Sequence, residues 1–180
     1  PKAASASYSS VKITWNAAAL ATGYVVYRLN TSTGAYTRVK VTKALSYIDG
    51  SLTTGKTYTY KVRAYRTVGA VNVYGEPSAA FSAKPIPATP ANVKAVRYSA
   101  TSIKLTWSPV AGASGYVVYK YNASTKPSAR VKALSSSGAS YINTCLGKGV
   151  TYYYKVRAYR TVNGVNVYGN PSGAVSAKTY

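Results

Sequence analysis

A chain of 180 residues with 23 Lys and Arg, two acidic side chains, no His and one Cys carries a formal net charge of +21. The missing His removes the commonest general base and the usual zinc donor, and the lone Cys145 rules out an intrachain disulfide. The positive charge draws polyanions most strongly at low salt, and no apolar run approaches the ~18 residues of a membrane-spanning helix.

Residues 2 to 8 are small and polar and read as a weak edge strand. Val11-Lys12-Ile13-Thr14-Trp15 alternates with period two, which predicts a core strand ending on an aromatic anchor. The alanine-rich stretch 16–22 is too short for a stable helix and reads as a loop. Gly23-Tyr24-Val25-Val26-Tyr27-Arg28 follows as a strand with apolar residues in both registers, and Tyr24 is taken as the inward one. A turn over 30–34 leads to a short basic strand over 36–41 and another at Ser46-Tyr47-Ile48. Leu52 to Lys56 then leads into the longest alternating run, which starts at Thr57.

That run occurs twice. Thr57 to Ser78 returns as Thr151 to Ser172, and Trp15 returns as Trp107, so the offset grows from 92 to 94 and roughly half of the aligned positions match. In the second copy Tyr152, Tyr154, Val156 and Ala158 fall on one side, and Tyr153, Lys155, Arg157 and Tyr159 on the other. Asn163-Gly164 then supplies the positive φ of a tight hairpin. The Gly-Asn-Pro-Ser run is expected to end the pairing, because Pro171 has no N–H to donate. The other second-copy strands are Ile103 to Trp107, Gly115 to Lys120 with Tyr116 inward, 129–133 and 140–142.

The expected organisation is repeat 1 over residues 1–84, a linker over 85–90, and repeat 2 over 91–180. Three prolines in the linker favour an extended, semi-rigid spacer of about 3.1 Å per residue, so two sandwiches would form a rod. Both chain ends coincide with repeat boundaries, as expected of a piece of a longer array. Twenty tyrosines and two tryptophans supply apolar area that aliphatic residues alone would not.

The early-strand Trp, Gly-Tyr-Val-Val-Tyr, Leu with Tyr six residues later, Tyr-x-Val-x-Ala and Gly-x-Pro-Ser together resemble the fibronectin type III module. The likeness covers both repeats and is nearest the bacterial extracellular form. It implies an all-β fold of two seven-stranded Greek-key β-sandwiches in tandem, immunoglobulin-like in architecture. It also implies core tryptophans at Trp15 and Trp107, and a structural corner in which Leu52 and Tyr58, or Leu146 and Tyr152, bring a tyrosine hydroxyl to nearby backbone. Thr54 and Lys148 stand where the family often has Pro, so a looser corner is expected. No integrin-type Arg-Gly-Asp is present.

Catalysis is disfavoured by elimination: Asp49 and Glu76 are the only carboxylates, and repeat 2 has none. No calcium loop, zinc set or cofactor motif is present, and repeat 2 lacks the carboxylate that an isopeptide cross-link would need. One pattern could bind. Lys61, Arg63, Tyr65 and Arg66, repeated as Lys155, Arg157, Tyr159 and Arg160, interleave cations with rings on the outward side of the long strand, as a polyanion or glycan face would. Arg38, Lys40, Arg130 and Lys132 are expected to extend it. Asn30-Thr31-Ser32 and Asn122-Ala123-Ser124 fit the N-glycosylation pattern, and Cys145 reads as a small loop residue.

The expected function is a non-catalytic, extracellular spacer or adhesion module of a bacterial surface or secreted protein. The alternatives are a cationic module that binds cell-wall polyanions or acidic glycans, and a repeat within a subunit of an extracellular filament that self-associates through strand edges. Candidate partners are cell-wall polymer, acidic glycan or another protein. Nucleic acid is disfavoured, since nothing in the pattern reads bases.

Overall fold

A computed structural model describes residues 1–122, 129–135 and 138–180, so Asn122-Ala123-Ser124 lies largely outside the described residues. The chain divides into two compact units, Pro1–Ile86 and Pro87–Tyr180. The described residues form strands, turns and loops, and no helix is long and apolar enough to cross a membrane.

Unit 1 packs two antiparallel sheets face to face. The smaller has the order β1 (Lys2–Ser7), β2 (Ser10–Thr14), β5 (Ser46–Asp49). The larger joins β4 (Tyr36–Thr42), β3 (Gly23–Leu29), β6 (Tyr58–Val68) and β7 (Val71–Tyr74), with β8 (Phe81–Ala83) also on β6. The chain therefore switches sheets between β2 and β3, between β4 and β5, and again between β5 and β6. Unit 2 repeats the plan, with β9 (Lys94–Ser99), β10 (Ser102–Thr106) and β13 (Ser140–Asn143) in one sheet. Its other sheet contains β11 (Gly115–Asn122), β12 (Ala129–Ser135), β14 (Thr151–Val162), β15 (Val165–Pro171) and β16 (Val175–Lys178). Each unit is a seven-stranded sandwich of the expected class whose last strand is broken in two.

The break has a local cause. Pro171, whose missing N–H predicts an end to the pairing, is the last residue of β15, opposite Arg157, and pairing with β14 resumes only at β16. Ser172 bridges the interruption, accepting from the Val156 N–H at 3.0 Å through its hydroxyl and donating its own N–H to the Val156 carbonyl at 2.8 Å. Ser78 does the same at Val62, at 3.1 and 2.8 Å. The backbone N–H and carbonyl of Val62 and of Val156 are thus both paired beside the proline.

The core of unit 1 gathers Val11, Ile13, Trp15, Tyr24, Val26, Leu52, Tyr60 and Val62; unit 2 uses the equivalent residues around Trp107. Tyr24 and Tyr116 do point inward, tilted against Trp15 and Trp107 at centroid separations of 5.6 and 5.3 Å. Their hydroxyls also hold the loop that precedes each strand: the Ala18 N–H donates to Tyr24 at 2.9 Å, and the Val110 N–H to Tyr116 at 2.6 Å.

Candidate functional site

The long strands β6 and β14 place the candidate residues by alternation. Tyr60 and Val62 face the core, which leaves Lys61, Arg63 and Tyr65 on the opposite face, and β14 does likewise with Lys155, Arg157 and Tyr159. Arg66 and Arg160 have core parity at the far end of their strands and do not join this face. Arg66 lines a hollow beside Ala18, Leu20 and Val73, and Arg160 donates from Nη1 to the Gly112 carbonyl at 2.7 Å. Arg38 and Arg130 pair with Tyr27 and Tyr119 and so share the outer face. Lys40 and Lys132 do not, because a bulge before them sets them opposite the core residues Val26 and Val118.

The outer face is built of cations laid on rings. Lys61 Nζ lies 4.7 Å from the centroid of Tyr36. The Arg63 guanidinium lies 5.2 Å from that of Tyr74 and donates from Nε to the Gly75 carbonyl, while Tyr74 packs on Tyr65 at 5.7 Å. In unit 2 Arg157 lies 5.0 Å from Tyr168 and donates to Gly169, and Tyr168 packs on Tyr159 at 5.8 Å. Tyr65 lies flat across the neighbouring strand, since a Cβ on Gly23 would come within 2.5 Å of its hydroxyl oxygen. Gly115 has the same role beneath Tyr159. Unit 2 adds a stacked pair, Tyr121 on Tyr153, at 5.1 Å and 13°.

Tyr74 and Tyr168 complete this face, although alternation along β6 and β14 does not point to them. The signal was available: with turns at 69–70 and 163–164, hairpin register sets Tyr74 opposite Tyr65 and Tyr168 opposite Tyr159.

Electrostatics separates this face from the core. Among the described residues the one ion pair is Arg28 Nη1 to Asp49 Oδ2 at 2.8 Å, so the face cations Lys61, Arg63, Lys155 and Arg157 have no carboxylate partner. Asp49 is 4% exposed and also accepts from the Tyr60 hydroxyl at 2.9 Å. Burial, then that hydrogen bond, holds the Tyr60 hydroxyl far above the usual tyrosine range. In unit 2 Asn143 takes the place of Asp49 and its amide donates to the Tyr154 hydroxyl at 3.0 Å. Burial pushes Tyr154 up to about 12, with the Asn143 bond acting in the opposite direction.

At the corner the Thr53 N–H donates to the Tyr58 hydroxyl at 2.9 Å, and the Gly147 N–H to that of Tyr152 at 3.0 Å, with Leu52 and Leu146 buried beside them. The Thr54 side chain is buried and donates to the Tyr8 carbonyl, which ties the proline-free corner of unit 1 to the β1–β2 turn. No group of three or more His, Cys, Asp or Glu gathers among the described residues. Cys145 is exposed in a left-handed turn at φ 56°, where Ser51 has φ 54°.

No family model matches the chain. It is 35% identical over 196 residues to exoglucanase B of Cellulomonas fimi, an alignment that covers 97% of this chain and 16% of that protein. It is 32% identical over 186 residues to the netrin receptor DCC of Rattus norvegicus, covering 98% of this chain and 12% of the receptor. The chain thus spans less than a fifth of the length of these two curated relatives. A two-domain fibronectin type III segment of chicken tenascin matches with a TM-score of 0.56 at 16% identity, over 99% of this chain and 97% of the segment.

Proposed function

Given that the chain has the fold of two tandem fibronectin type III domains, we propose that it is a non-catalytic, extracellular spacer or adhesion module of a bacterial surface or secreted protein. One observation carries the non-catalytic part. Of two carboxylates in the chain, Asp49 is locked in the core of unit 1, which leaves Glu76 as the only exposed one. A lone surface carboxylate without His supplies neither a carboxylate pair nor a His–carboxylate pair, the two commonest acid–base arrangements. The small share of each relative that the chain spans supports a module within a larger protein.

A second reading is favoured by the uncompensated cations on the outer faces: the module also holds its parent protein to anionic wall polymer or acidic glycan. Rings fix the guanidinium groups of Arg63 and Arg157, so less freedom is lost when they fork onto phosphate or carboxylate. The test is retention of the chain on immobilised teichoic-acid-type polymer and on an uncharged glucan across a salt series, beside the Arg63→Glu/Arg157→Glu variant. Retention on the anionic polymer that falls steeply with salt and is lost in the variant supports the face. Equal retention of variant and parent removes it and leaves the spacer role alone.

A further inference from the structure

Unit 1 has a polar cleft of about 260 Å³ between the β3–β4 turn and the segment entering β6. We propose that this cleft binds a single tetrahedral oxyanion, a phosphate or sulfate ester, carried on a hydroxylated molecule such as a sugar. It is separate from the cationic sheet face and does not depend on it.

Two cations line the cleft, Arg28 from β3 and Lys56 from the segment entering β6. Arg28 is anchored through Nη1 to the buried Asp49, and its Nε and Nη2 make no hydrogen bond among the described residues. Lys56 has no carboxylate partner, and both cations lie near the Tyr58 ring, at 5.8 and 5.7 Å from its centroid. That ring is a fixed wall, because its hydroxyl is held by the Thr53 N–H. The opposite wall is braced as well: the Ser32 N–H donates to Asn30 Oδ1 at 3.0 Å, and the Thr37 hydroxyl donates to the Arg28 carbonyl at 3.2 Å.

No carboxylate lines the cleft, while Thr31, Ser32 and Thr57 among its lining residues carry hydroxyls; that of Thr37 is already given to the Arg28 carbonyl. A planar guanidinium, a point-charge ammonium and hydroxyls lining one cleft offer donors of different geometry, which suits a tetrahedral anion better than a planar carboxylate. The anchored guanidinium is already in place before binding. The volume exceeds that of a bare anion and leaves room for a carrier whose hydroxyls meet those of the threonines.

The second copy lacks the elements. Lys120 stands at the position of Arg28 and Val150 at that of Lys56, so at these two positions the fork and the second cation are replaced. Binding is therefore expected in unit 1.

The test is a nitrogen-15 NMR titration of the intact chain with glucose 6-phosphate at fixed ionic strength, with glucose 6-sulfate and glucose in parallel. The expected result is saturable shifts at the amides of residues 28–32, 37 and 56–58, none of them produced by glucose and none in unit 2. The sulfate arm shows whether the site takes either ester or the phosphate alone. Lys56→Gln, an exposed position, should weaken binding about fivefold, and Lys56→Arg should restore most of it. The Arg63→Glu/Arg157→Glu variant should bind the sugar phosphate as the parent does, whatever happens to its polymer retention. Shifts that fail to saturate, that appear equally in both units, or that survive Lys56→Gln unchanged overturn the proposal. Polymer retention that persists in their absence leaves the sheet face standing alone.

Discussion

The two units place the same fold around different chemistry at one buried position. In unit 1 Asp49 is held by Arg28 and Tyr60; in unit 2 the same place holds Asn143 with Tyr154, and Lys120 replaces arginine. A buried carboxylate tolerates the interior only while it is paired, whereas an amide needs no counter-charge. Unit 1 thus depends on its arginine and unit 2 does not depend on its lysine. Each unit also has one buried tryptophan, so two indole N–H resonances report the stability of each copy within the intact chain.

The largest expected effect is loss of the counter-charge. Arg28→Ala leaves Asp49 with only the Tyr60 hydroxyl and should destabilise unit 1 by about 2–3 kcal/mol. Lys120→Ala should cost unit 2 less than about 1 kcal/mol. Denaturant titration followed on the Trp15 and Trp107 indole signals checks both, and equal losses in the two units would break the comparison.

The reciprocal exchange comes next. Asn143→Asp places a carboxylate in unit 2 where no guanidinium waits, and should cost about 1–3 kcal/mol at neutral pH. The new carboxylate resists ionisation by burial, so the loss should shrink as the pH falls and the group protonates. Adding Lys120→Arg should recover part of the loss, because it rebuilds the unit 1 pair; a double variant no better than the single one would show that arginine is not what unit 1 relies on.

Alkali tests the same position from the tyrosine side. Tyr60 and Tyr154 are both raised above the usual tyrosine value of 10.0 in the fold. Their contributions are fully present below pH 10 and are lost as pH rises toward the folded values, at about 1.4 kcal/mol per pH unit for each group. Unit 2 should stop losing stability near pH 12, where Tyr154 itself titrates, and unit 1 should go on falling, since the carboxylate beside Tyr60 lifts it further. Tyr154→Phe should make the decline in unit 2 between pH 10 and 12 shallower, leaving the part that comes from Tyr141, which burial also raises.

Much of this architecture was legible because period two is a strong constraint. The alternation of Tyr152, Tyr154, Val156 and Ala158 assigns faces without reference to anything distant, and the Trp15 and Trp107 strands do the same. The candidate face was legible only in part. Tyr65 and Arg66 are neighbours and cannot share a face, so parity alone should have removed Arg66 and Arg160. The misplacement of Lys40 and Lys132 could not be foreseen, since a bulge adds a residue to one strand with no mark in the sequence. Nor could the Arg28–Asp49 pair, which joins residues 21 apart on different sheets.

The smallest effect lies at the hairpin tips, where the copies again differ. In unit 2 both turn residues have positive φ, Asn163 at 49° and Gly164 at 78°; in unit 1 Gly69 is at 61° and Ala70 is not among the positive-φ residues. The first is the arrangement of a type I′ turn, and the second needs glycine at the first position only. A Cβ at Gly69 or Gly164 would meet nothing within 4 Å, so the cost of alanine at either is backbone strain alone. Gly164→Ala and Gly69→Ala should each cost about 1 kcal/mol, while Ala70→Gly, at a position with no such strain to relieve, should change stability by no more than about 0.5 kcal/mol. Val71 and Val165 beside the turns are 66% exposed, so the tips can open without unfolding the sandwich. Amide exchange at residues 67–72 and 161–166 is therefore the measurement that resolves these changes. Faster exchange at both glycine-to-alanine tips, with no response to Ala70→Gly, would tie the difference between the turns to backbone conformation and not to side-chain packing.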